Sequence, residues 1–126
     1  MEKRFLVAGS IFGGSAVALG AFAAHGLKNI LTVDNLRIFH TAVEYQFYHA
    51  LALMITGVVS SKIRTTQIKW SGNFFITGIL LFSGSLYCLS VFANLSFMGM
   101  ITPIGGLCFL AGWLLLCLSS LSYKSS

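Results

Sequence analysis

The chain has 126 residues, of which 56% are hydrophobic and only 9% charged. A soluble domain ordinarily carries about 25% charged residues, so a soluble enzyme, a disordered tail and a nucleic-acid-binding module all fit poorly. The net charge of +5 sets eight Lys and Arg against Glu2, Asp34 and Glu44. Those cations stand at the borders of apolar runs, which is how membrane topology is written rather than how a nucleic-acid surface is built. The length accommodates one domain, or about four membrane spans of roughly 20 residues each.

The first apolar run, Phe5 to Ala24, follows Lys3 and Arg4 and ends in Ala21-Phe22-Ala23-Ala24. That ending resembles a signal-peptide cleavage site. The run is nevertheless long enough to span, and it reads as a retained helix. Gly9 and Gly13 form a GxxxG pair within it, with Gly20 further on, and small residues let helix backbones approach closely in lipid. A phosphate-cradling glycine loop would need a strand, a Lys and polar surroundings.

A polar patch from His25 to His40 follows, in which Asp34 is placed to cap a helix starting near Leu36. The second span runs over 41–61 and is followed by Lys62, Arg64, Lys69 and an interfacial Trp70. The third, over 71–93, contains Gly84. An uncharged turn leads to Thr102-Pro103, which reads as an N-cap with Pro at the first helical position. The fourth span, over 101–121, opens with Gly105 and Gly106. Gly9, Gly13, Gly20, Gly84, Gly105 and Gly106 are the expected helix-packing positions. The fold class is all-α, an integral membrane bundle of four transmembrane helices in a single domain. With both ends in the cytoplasm, six cations lie inside (Lys3, Arg4, Lys62, Arg64, Lys69, Lys124) and two outside (Lys28, Arg37). The positive-inside rule therefore predicts N-in and C-in.

Glu44 is the one acid inside an apolar span, and intramembrane ionisable groups are costly enough to need a reason. At 100° per residue, Arg37, His40, Thr41, Glu44 and Tyr48 share one arc of about 100°. His49 and Tyr45 project from another side, and His25 ends the first span at the same outer level. His25, Arg37, His40, Glu44, Tyr48 and His49 are the candidate polar cluster. Its functional reading is proton handling or ligand binding, and its structural reading is an interfacial network that sets how helix two packs. No metal or haem is expected, because His40 and His49 lie on opposite sides of one helix. Cys88, Cys108 and Cys117 lack CxxC spacing and read as free, buried small hydrophobes. No Ser-His-Asp or Cys-His set can be assembled, so neither catalytic residues nor a cofactor are assigned.

Four stretches carry a resemblance: Gly20-Ala-Phe-Ala-Ala-His-Gly-Leu27, Glu44-Tyr-Gln-Phe-Tyr-His-Ala-Leu51, Leu81-Phe-Ser-Gly-Ser-Leu-Tyr-Cys-Leu89, and Thr102-Pro-Ile-Gly-Gly with Ala111-Gly-Trp113. Together they resemble the small inner-membrane family catalogued as domain of unknown function 423, with bacterial members and mitochondrial relatives. The likeness covers nearly the whole chain, and Ala23 departs from the glycine of the family's GAFGAHG stretch. The resemblance implies a four-helix, multi-pass protein of the bacterial inner membrane, and no reaction. The expected role is non-enzymatic packing and assembly, in contact with membrane lipid and with a homo-oligomer or membrane-protein partner, and with no nucleic acid. The alternative is a small oligomeric transporter or channel with its outer-side polar cluster around Glu44. An intramembrane enzyme is the weakest reading, since neither a nucleophile–base pair nor a cofactor motif is visible.

Overall fold

In the computed structural model, which describes residues 2–124, every regular element is a helix. Helix α1 is Lys3–Leu27, α2 is Val33–Val59, α3 is Thr66–Val91 and α4 is Thr102–Leu121. The last turn of α1 (Ala23–Leu27) and the middle of α3 (Ile79–Ser83) widen into π-type turns, and Ala93–Met100 forms a 3₁₀ connection. Three helical stretches, Lys3–Leu27, Thr66–Val91 and Asn94–Leu121, are long and apolar enough to cross a membrane. Helix α2 is the fourth and the most polar. At 27 residues it is about 40 Å long.

The helix ends differ from expectation in two places. Thr32, not Asp34, caps α2, its hydroxyl accepting from the Asn35 N–H at 3.1 Å. Asp34 falls in the first turn, where a carboxylate still complements the helix dipole. Thr102 is already helical, with Ile101 at the cap position. Its hydroxyl instead pairs with Ser85 Oγ, tying α4 to α3.

The contacts describe an up-and-down bundle. Along α1, Leu6, Gly9, Gly13 and Gly20 meet Gly57, Met54, Ala50 and Val43 of α2 in turn. Ascending numbers on one helix against descending numbers on the other mean antiparallel packing. Helices α3 and α4 pair in the same way: Phe75 packs on Gly112, Gly78 on Phe109, and Phe82 on Gly105. Ser83 Oγ donates to the Ala42 carbonyl at 2.8 Å and joins α3 to α2.

The core is aromatic side chains seated on glycines. Phe5, Leu53, Phe75, Ile79 and Phe109 are buried together with Ala52. Phe5 lies over Gly72, and Phe75 and Phe109 occupy the spaces over Gly112 and Gly78 of the opposing helix. None of the described glycines has positive φ, so here glycine supplies space rather than an unusual backbone angle. Of the expected packing glycines, Gly9 and Gly105 lie in tight contacts, while Gly13, Gly20 and Gly106 touch a neighbour at ordinary distance. Gly84 is different. Among the described residues nothing lies within 4 Å of where its Cβ would sit, so no neighbour there requires a glycine. The outer surface is lined by Ile11, Val17, Leu80, Ile104, Leu107, Leu110 and Leu114, all more than half exposed. Such a surface suits hydrocarbon and would drive association in water.

Candidate functional site

Helix α2 packs along α1 and α3 and reaches α4 through the His49 side chain, and its two faces have different chemistry. Ala42, Gln46, His49, Ala50, Leu53 and Thr56 are buried. Arg37, His40, Glu44 and Tyr48 are exposed, on the stripe that the 100° spacing predicts. Small residues and hydrogen-bonding groups turn inward, where helices approach closely. The charged stripe is left facing out.

The six candidate residues do not form one bonded cluster. Among the described residues, no hydrogen bond or ion pair joins any two of them. Arg37 faces Asp34 at 3.6 Å, with both side chains well exposed. His25 is exposed at the widened end of α1. Glu44 has no hydrogen-bond or ion-pair partner among the described residues. Its side chain borders a groove of about 310 Å³ between α1 and α2. Ala16, Gly20 and Ala21 recess the α1 wall of that groove, and Val43, Phe47 and Tyr48 complete its α2 side.

His49 belongs to another site. It is only 5% exposed, and its ring stacks on Phe109 with centroids 3.5 Å apart. Trp113 Nε1 donates to His49 Nε2 at 3.1 Å, and His49 Nδ1 lies 2.7 Å from the Tyr45 carbonyl. One neutral tautomer, with the proton on Nδ1, satisfies both bonds. The ring thereby joins α2 to α4. Beside it, Tyr45, Tyr48, Phe82, Gly106, Leu110 and Trp113 line a second cleft of about 440 Å³. Tyr48 borders both openings, so the exposed face of α2 is continuous from one to the other.

The most connected buried polar residue is Gln46, to which the sequence reading gave no role. Its Nε2 donates to the Phe12 carbonyl and to Ser15 Oγ, both at 2.8 Å, and Tyr87 Oη donates to its Oε1 at 2.6 Å. One side chain thus holds α1, α2 and α3 together. The available signal was simple: an amide within an apolar run needs partners, and partners in lipid must be protein groups. The serines follow the same logic, with Ser71 Oγ donating to the Gly112 carbonyl at 2.7 Å. Among the described residues, no buried side-chain nitrogen or oxygen lacks a partner. No three His, Cys, Asp or Glu side chains converge there as a metal site would require.

Comparison with known proteins places this architecture. The family model described as "Protein of unknown function (DUF423)" matches residues 19–106. A UPF0382 membrane protein of Staphylococcus haemolyticus is 40% identical over 121 residues, covering 96% of this chain and 98% of the relative. The UPF0382 membrane protein YwdK of Bacillus subtilis is 39% identical over 122 residues, with the same coverage. The UPF0382 inner membrane protein YgdD of Escherichia coli is 38% identical over 125 residues, covering 98% of this chain and 95% of the relative. No solved structure matches the chain.

Proposed function

The chain belongs to the DUF423 family of membrane proteins, and from that premise we propose that it is a non-enzymatic assembly protein that self-associates through the exposed face of α2. Four spans with both ends in the cytoplasm frame the reading. Helix α2 lies antiparallel along α1, which is itself long enough to span, and so covers the same depth. The six-to-two distribution of cations supports the orientation. Cysteines engineered into the Lys62–Lys69 loop should accordingly react with an impermeant maleimide only from the cytoplasmic side. Labelling from outside intact cells would reverse the topology.

The observation that carries the proposal is Glu44, a carboxylate within the span of α2, exposed and without a partner among the described residues. Acidic groups in spans ordinarily pair or face a polar interior, and here the fold has spent its interior positions on Gln46 and His49. A second copy supplies what is missing. A two-fold axis along the membrane normal sets the two stripes face to face at equal depth. Each Glu44 then lies about 6 Å, one helical turn, from the level of the other copy's His40 and Tyr48. The recess formed by Ala16, Gly20 and Ala21 allows close approach.

In detergent, Glu44→Leu should weaken self-association by about tenfold, with Glu44→Gln milder because an amide still forms hydrogen bonds. The bundle itself should remain folded. A wild-type chain that is monomeric at every detergent concentration would overturn the proposal, as would an oligomer indifferent to Glu44→Leu. A different membrane protein co-purifying in place of the second copy would transfer the face to that partner. The second reading is an oligomeric transporter or channel, and the same carboxylate favours it, since Glu44 would then line a path between subunits. It requires solute flux in proteoliposomes that Glu44→Gln abolishes without loss of the oligomer.

A further inference from the structure

At the opposite end of α2, three chain segments converge on a polar cleft that packing of the bundle leaves open. The Glu2 backbone N–H donates to Ser60 Oγ at 2.7 Å, which draws the start of α1 onto the end of α2. The Glu2 carboxylate accepts from Arg4 Nε at 3.2 Å and faces Lys69 Nζ of α3 at 3.9 Å. Arg4 Nη1 also donates to Asn73 Oδ1 at 2.7 Å, so that guanidinium is fixed from two sides. Glu2, Ser60, Arg64, Ile68 and Lys69 line a cleft of about 320 Å³, within the range of small-ligand sites, about 300–1,000 Å³.

We propose that this cleft binds a phosphate group, supplied by the headgroup of an anionic phospholipid. The charges favour an anion: Arg64 and Lys69 line the cleft with one carboxylate, Glu2, which also engages Arg4, and Arg64 has no acidic partner among the described residues. Glu2 engages Arg4 and steadies Lys69 without cancelling the group. The depth favours a lipid. Ile68 in the lining and the exposed Trp70 beside it mark the level where the apolar surface ends, which is where headgroup phosphates lie. Basic pockets between spans at this level suit anionic headgroups. The inference is independent of the self-association face.

The test compares two double variants of the full chain in nonionic detergent. Arg64→Gln with Lys69→Gln removes the two cations that line the cleft, whereas Lys3→Gln with Lys62→Gln removes equal charge outside it. Phosphatidylglycerol, phosphatidylcholine and inorganic phosphate are titrated against each, with lipid adducts read by native mass spectrometry and stability by thermal unfolding. Wild-type chain should prefer phosphatidylglycerol over phosphatidylcholine. The cleft variant should lose about thirty-fold in affinity, at roughly a kcal/mol per cation, and the control variant less than about threefold. Saturation by millimolar inorganic phosphate, lost in the cleft variant, would retain the site with free phosphate as its occupant. Equal losses in the two variants would reduce the site to a general basic belt and overturn the proposal, as would the absence of any preference for phosphatidylglycerol.

Discussion

Gly105→Ala is expected to destabilise the bundle by about 1–3 kcal/mol, the usual cost of overpacking a close contact. A Cβ at position 105 would lie 2.7 Å from Phe82 Cα and 2.8 Å from Phe82 Cβ, with the Phe82 backbone nitrogen closer still. Backbone cannot rotate out of the way as a flexible side chain can. Relief requires α3 and α4 to move apart, which also loosens Phe75 over Gly112 and Phe109 over Gly78. The loss should outweigh alanine's better helix propensity, worth up to about 1 kcal/mol. Gly84→Ala is the control. With open space at that position, it should be neutral or slightly stabilising. Unfolding of both variants in the same detergent checks the pair, and equal behaviour would remove close approach as the reason for glycine at position 105.

Gln46→Leu is the second large effect. Leucine fits an apolar helix, but it strands the Tyr87 hydroxyl and takes donors from Ser15 and the Phe12 carbonyl. Each buried polar group left unpaired costs about 1–3 kcal/mol, although measured couplings between membrane helices average nearer 0.6 kcal/mol. An overall loss of about 1–3 kcal/mol follows. Adding Tyr87→Phe to Gln46→Leu should then recover part of it, because the phenol no longer seeks a partner. A double-mutant cycle on unfolding measures that coupling. Strict additivity would mean that Gln46 and Tyr87 act separately. His49 offers a parallel, since Trp113 would lose its acceptor in the same way.

The sequence by itself determined the solvent of this protein and the number and approximate extent of its helices. Hydropathy sums over contiguous residues, and lipid permits only helices or closed barrels to satisfy the backbone. It also determined that Arg37, His40, Glu44 and Tyr48 share a stripe, because that follows from helix period alone. Which way the stripe faces does not follow, for a helix turned about its axis keeps the same spacing. Packing decided that. Ala42, Gln46, His49 and Ala50 lie against neighbouring helices, and Glu44 turns outward as a consequence. Helix period already turns His49 about 140° away from Glu44, and packing decided that this side meets Phe109 and Trp113 of α4. The glycines make the point once more. Gly84 and Gly105 look alike as letters in apolar runs, yet Phe82 stands against one and nothing stands against the other. Whether a missing side chain is needed depends on what occupies its place, and only the tertiary structure brings that neighbour there.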